Sequence, residues 1–135
     1  MVIGTGYFAQ TNKYVSLGYA PISIALKQPW FVNSIIKPQV YDKLAPTKEI
    51  LGLKDNPDEY TRRYKKEILG EYAAADVYRD LVSLSKRTLL NNIVLLCWEG
   101  IGKFCHRHIV ANWLGDYLGE KIDEINVKPK EETLL

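Results

Sequence analysis

Sulfur is scarce in this chain. Its 135 residues include one methionine and two cysteines, Cys97 and Cys105, close together in sequence. Two cysteines are too few for the disulfide framework that holds many small secreted domains together, so both are read as reduced thiols. A dominant sign of charge is also missing. Lys and Arg number 18 against 16 Asp and Glu, for a formal net charge of +2 and a pI near 8.4. That balance does not by itself imply nucleic acid, which would call for a higher pI or a clustered basic stripe. No apolar run approaches the length of a membrane span. The first residues lack the basic and then apolar regions of a signal peptide. A cytoplasmic protein without a membrane partner is therefore expected. There is no internal repeat and no linker-like segment.

What is present is an ordinary globular mix, 47% hydrophobic and 25% charged, of a length that suits one domain with one core. Nine tyrosines and three tryptophans are many for this size. Such rings serve either as core or as stacking platforms for bases, and composition does not decide between them.

Residues 2–9 are rich in strand formers and are interrupted by Gly4 and Gly6, which predicts a first or edge strand bent at a glycine. Asn12 and Lys13 mark a turn. Residues 20–25 form a second strand with Pro21 near its start. Residues 28–39, with Pro29 and Pro38, are assigned no regular structure. Thr47 caps a helix with Glu49 in its first turn. Asn56 followed by Pro57 starts a longer one, in which Tyr60, Tyr64 and Ile68 share a face and Gly70 marks the end. Val77, Leu81 and Leu84 form the next stripe. The unbroken apolar run 93–97 suits a central strand buried on both faces. A last helix spans 104–118, with Gly119 closing it. His106, Val110, Trp113 and Tyr117 share one of its faces; Cys105, Ile109, Asn112 and Asp116 share another. Residues 121–127 suggest a final strand, and 128–135 a flexible C-terminal tail. The order predicts a single α/β domain, 1–127, built as a sandwich of a small, largely parallel sheet flanked by helices.

In such sheets ligands bind beyond the carboxyl ends of the strands, which directs attention to residues 92–118. There an apolar strand runs through a glycine-containing loop into a helix whose start carries Cys105, His106, Arg107 and His108. Free N–H groups at a helix N-terminus favour anions, and a guanidinium adds a bidentate fork for phosphate or carboxylate.

Five short blocks occur in order: Thr5-Gly6-Tyr7-Phe8, Pro21-Ile22-Ser23-Ile24-Ala25, Leu44-Ala45-Pro46, Leu95-Leu96-Cys97-Trp98-Glu99 and Phe104-Cys105-His106-Arg107. Together they resemble the domain-of-unknown-function 488 family, in a compact form similar to phage and bacterial members. The Cys-aromatic-Glu followed by Cys-His-Arg is the specific part. The resemblance implies an α/β fold and carries over Glu99, Cys105, His106 and Arg107 as site positions. Gly6 stands where relatives often have serine. Leu26 and Lys27 follow Ala25 where relatives often place an arginine.

Each candidate has a functional and a plain reading. Arg107 either clamps an anion or forms an ion pair with Glu99 or Asp116 that pins the loop to the helix. Cys105 is either a nucleophile activated by the helix start and nearby imidazoles, or a small buried residue. Cys97 is read as core. Glu99 is a general acid or base, a contact to a hydroxyl or base edge, or a structural partner of Arg107. His106 is a catalytic imidazole or a satisfied core histidine; His108 is expected to be exposed. Trp98, Gly102, Lys103 and Tyr7 complete the candidate ligand contacts. Trp30 and Trp98 either stack on a ligand or cover the core edge. A metal on Cys97, Cys105 and His108 lacks a fourth ligand, and Cys105 and His106 would point about 100° apart on a helix, so no metal or cofactor is assigned. The stripe of Tyr60 and Tyr64 with Arg62, Arg63, Lys65 and Lys66 is either a nucleic-acid surface or a helix with a buried aromatic face and a solvated basic one.

The expectation is a protein that binds an anionic, nucleotide-like phosphorylated ligand at residues 97–107. An enzyme acting on a nucleotide or nucleic acid through Cys105, His106 and Glu99 is the alternative. A non-catalytic module for protein or nucleic acid is the second alternative. Whether there is turnover, and the oligomeric state, stay open.

Overall fold

The computed structural model describes residues 1–29, 33–100 and 103–127. Four parallel strands make one sheet: β1 (Ile3–Tyr7), β2 (Tyr19–Ser23), β3 (Gln39–Val40) and β4 (Asn92–Cys97), in the order β1-β4-β2-β3. The apolar run at the end of the chain's second third is indeed the interior strand: β4 pairs with β1 and with β2, and Ile93 to Cys97 are all buried. Pro21 lies within β2 yet breaks no ladder there, because β3 pairs only with Ile22 and Ser23.

Helices cover both faces. On one lie α2 (Lys48–Leu51), α3 (Pro57–Glu67), α4 (Ala74–Lys86) and α5 (His106–Leu118), whose buried side chains meet Ile3, Ile22, Ile24, Ile93 and Leu95. The opposite face is thinner. Phe8, Tyr14 and Val127 pack there on Val94, Leu96 and Cys97, with α1 (Thr11–Ser16) supplying Tyr14. The expected α/β architecture, a small parallel sheet flanked by helices, is the one observed.

The helix starts follow their caps. The Thr47 hydroxyl accepts from Ile50 N (3.2 Å), and Asn56 Oδ1 accepts from Glu59 N (3.3 Å), with Pro57 in the first turn. Gly119 closes α5 at φ +70°.

Two expectations fail. Asn12 and Lys13 are helical rather than a turn, because Tyr14 is drawn wholly into the core and its hydroxyl accepts from Tyr7 N (3.2 Å). Residues 121–127 form no strand. They touch the sheet through one bridge at Thr5 and Glu124, where Thr5 N donates to Asp123 O and Ile125 N donates to Thr5 O. The side chain of Glu124 in that segment turns inward to Thr5 and Arg107. Trp30 and the expected tail, 128–135, lie outside the described residues.

Candidate functional site

The carboxyl ends of β2 and β4, the start of α5 and the α2–α3 corner surround a cavity of about 110 Å³. From β4 and its loop come Cys97, Trp98 and Glu99; from the α5 start Phe104, Cys105 and His106; from beyond β2 Ala25, Leu26 and Lys27. Leu51, Lys54 and Tyr60 complete the lining. Tyr60 and Phe104 meet edge to face at 4.9 Å, and the Trp98 ring stands on Phe8 at 5.2 Å. Trp98 Nε1 donates to the Lys27 carbonyl (2.8 Å), which ties the two strand-end loops together.

Cys97 and Cys105 are joined as a disulfide, so the reading of both as reduced thiols is corrected. Sequence separation hid this. Only eight residues part them, too short a separation to suggest that the end of β4 meets the N-cap of α5. His106 is buried at 3% exposure. Its Nε2 lies 2.6 Å from the Ile24 carbonyl, a pure acceptor, so Nε2 carries the proton and donates. That leaves Nδ1 as an acceptor, and it faces Cys105 Sγ at 3.6 Å. Burial lowers the His106 pKa to about 4, against the opposing pull of the Ile24 hydrogen bond, so the ring is neutral at pH 7.

The expected divergence of Cys105 and His106 is therefore corrected. It assumed that both stand on the helix, whereas Cys105 is the N-cap with extended backbone (φ −156°, ψ 150°). Cys97, Cys105 and His106 gather their ligand atoms within 4.8 Å of one another. His108, placed in that set by its three-residue spacing from Cys105, is not part of it. It is half-buried, and burial lowers its pKa, with the charge of Arg107 adding to the effect.

Arg107 is wholly buried and does not line the cavity. Its Nε and Nη2 grip Glu124 (2.9 and 2.7 Å). Nη1 donates to Cys97 Sγ (3.0 Å) and to the Glu99 carbonyl (2.7 Å), and Nη2 also reaches the Gly100 carbonyl (3.2 Å). In this structure an acid of the protein, Glu124, fills the fork that the sequence reading offered to an anion. The plain reading was right in kind but named the wrong acids: the partner is Glu124, not Glu99 or Asp116. Burial alone would raise the Glu124 pKa, but hydrogen bonds from Arg107 and Thr5 outweigh it and hold the carboxyl below its ordinary value.

Glu99 lines the cavity, with its carboxylate paired to Lys54. Tyr7 stands beside Cys97 in the sheet but off the cavity lining, and Lys103 is exposed and also off it. Gly102 lies outside the described residues. A Cβ at Gly6 would collide with the Tyr14 ring, so the ring's place beside the strand requires glycine here. Lys54, Glu124 and the Ile24 carbonyl were missed by sequence reasoning, and Tyr60 was read on a helix face rather than at this cavity. No local signal marks them, since each meets its partner across the fold.

On α3, Tyr60 and Tyr64 are in the core at 1% and 0% exposure, so neither offers a face to a base from solvent. Arg62 pairs with Glu59, and Arg63 with Glu67 and Glu49. No helix among the described residues is long and apolar enough to cross a membrane.

No curated protein and no solved structure matches the chain. A family model described as the active DUF488-N3 subclade matches residues 32–118, more than half of the chain, which therefore belongs to the DUF488 family.

Proposed function

We propose that this DUF488 protein binds a small phosphorylated ligand with a planar ring, of the nucleotide kind, in the cavity between the ends of β2 and β4. The cavity wall carries the reading: the rings of Trp98 and Phe104, backed by the buried Tyr60, border an apolar space, with an ion pair, Lys54 to Glu99, at one side. Rings of this kind stack on planar ligands, and a few polar groups set the orientation. An apolar cavity of ~150 Å³ takes up benzene, so about 110 Å³ suits a single small ring rather than a whole nucleotide. The phosphate would then lie at the mouth, where Lys54 and Lys27 supply cations, while Glu99 accepts from a hydroxyl or a ring N–H. Lys54 takes over the anion contact that the sequence had suggested for Arg107.

Calorimetric titration with pyrimidine and purine nucleoside monophosphates tests this. Pyrimidine monophosphates should bind more tightly than their purine counterparts. Lys54→Ala should weaken binding about tenfold, the equivalent of ~1.4 kcal/mol. Absence of binding by every monophosphate tested, or an unchanged affinity in Lys54→Ala, would remove the reading.

A second reading is favoured by the His106 geometry and suits a subclade described as active. In it the reduced Cys105 thiol gives its proton to Nδ1 and the thiolate attacks an electrophilic carbon of a nucleotide held in the same cavity; the bond from that carbon to its leaving group breaks, the leaving group departs with the proton from Nδ1, and the Ile24 carbonyl keeps the imidazole oriented. Reduced protein should then be alkylated at Cys105 by iodoacetamide faster than free cysteine at neutral pH. A Cys105 that reacts no faster would exclude a nucleophilic role.

A further inference from the structure

We infer that Cys97, Cys105 and His106, once the disulfide is reduced, form a site for one zinc-like divalent ion on the wall of the cavity. The three ligand atoms already lie within 4.8 Å of one another. A tetrahedral zinc with ordinary Zn–S and Zn–N bonds sets its donors roughly 3.5–3.8 Å apart, and Cys105 Sγ and His106 Nδ1 stand at 3.6 Å. The sulfurs, bonded to each other in the oxidised protein, separate on reduction to admit the ion.

The surroundings are those of a metal site rather than of a mere thiol pair. A ligating imidazole ordinarily donates its other N–H to a carbonyl or carboxylate, which fixes its tautomer and direction. His106 does so through Nε2 to Ile24 O at 2.6 Å, leaving Nδ1 aimed at the sulfur. Arg107 Nη1 donates to Cys97 Sγ at 3.0 Å, so a thiolate there has a buried cation beside it. Cys105 caps a helix of 13 residues, whose N-terminal dipole also favours thiolate. The ligands stand at the end of a central strand and the start of a helix, elements that hold them in place. Two thiolates with one imidazole select zinc over magnesium or calcium.

Three protein ligands leave one position of a tetrahedron open, as in catalytic zinc sites. All three residues line the cavity, so that position gives onto it. The inference is independent of which ligand the cavity takes.

The chemistry balances with a dithiol as reductant. Two electrons and two protons pass from the dithiol to the Cys97–Cys105 bond, giving two protein thiols and a cyclic disulfide of the reductant. Zinc then replaces the two thiol protons, which are released to solvent.

The test uses the full chain, reduced with dithiothreitol, desalted without oxygen and titrated with Co²⁺ and then Zn²⁺. One equivalent of Co²⁺ should give a thiolate-to-metal charge-transfer band and tetrahedral d–d bands, and Zn²⁺ should discharge both. The oxidised protein should give neither. Cys97→Ser and Cys105→Ser should each weaken the charge-transfer band. His106→Gln removes a ligand outright, so it should weaken zinc binding by more than the roughly 10- to 100-fold that loss of an outer-shell partner costs. Lys54→Ala, which removes the proposed phosphate contact, should leave the cobalt spectrum unchanged, so failure of the ligand reading and failure of the metal site are told apart. Reduced wild-type protein with two titratable thiols and no charge-transfer band would overturn the inference, whatever the folding of the variants. So would a protein in which dithiothreitol frees no thiols.

Discussion

Removing the Arg107 side chain would strip Glu124 of its bidentate partner and take a donor from Cys97 Sγ and from the carbonyls of Glu99 and Gly100. The guanidinium is fully buried and the Glu124 side chain only 18% exposed. Breaking a buried pair from one side leaves a charge without compensation and costs about 3–5 kcal/mol. Arg107→Ala should therefore lower the stability of the fold by that amount in urea unfolding. Arg107→Lys should recover only part, since a single ammonium cannot hold a carboxylate and two loop carbonyls at once. A loss under 1 kcal/mol in Arg107→Ala would show that this network does not hold the loop. The residue itself was legible in the sequence, and its role was not. Cys-His-Arg at a helix start singles Arg107 out, but whether its fork points to a ligand or to the protein depends on an acid 17 residues away. Cys105 and His106 were likewise found as residues and misjudged in direction, because the helix spacing used for them stops applying at an N-cap.

Among the elements, those with a local physical signature were readable. Asn56-Pro57 starts α3, Thr47 starts α2, Gly119 ends α5, and the unbroken apolar run is β4. The Asn56 cap should behave accordingly. Its side chain serves one of the unpaired first-turn N–H groups, so Asn56→Ala should cost about 1 kcal/mol, whereas Asn56→Asp should cost little or nothing. Thermal unfolding followed by circular dichroism checks both, and equal melting temperatures for wild type and Asn56→Ala would show that the cap contributes nothing. Elements held by distant contacts were not readable. Helix α1 is six residues long and owes its place to the burial of Tyr14 and to the Thr11 hydroxyl, which donates to Phe8 O at 2.6 Å. Strand β3 has two residues, too few for any alternation to show. Residues 121–127 carry apolar side chains as a strand would. The inward turn of Glu124 toward Arg107, decided by tertiary structure, leaves them only one bridge to the sheet.

At the scale of the whole molecule, the cavity joins segments that no window of sequence contains. His106 meets Ile24 across 82 residues, and Glu99 meets Lys54 across 45. The same long-range burial makes stability depend on pH. In the unfolded chain His106 takes up a proton near pH 6.5, but in the folded protein only near pH 4, because burial penalises the imidazolium. Between those values the unfolded state holds more protons, so stability rises with pH through the window and levels off above it. The full depression corresponds to about 3 kcal/mol. His108, also lowered, acts in the same direction. Glu124 adds its share further down: its folded pKa is depressed, so its contribution is lost as the pH falls through that lowered value. Urea unfolding from pH 7.5 to 4, with a chelator present, should therefore show stability falling steadily on acidification in the wild type. His106→Gln should start lower at pH 7.5 and fall less, since the remaining slope belongs to His108 and the carboxylates. If the two proteins share one slope, His106 is not held neutral by its burial, and the donor-acceptor arrangement at Ile24 and Cys105 loses its basis.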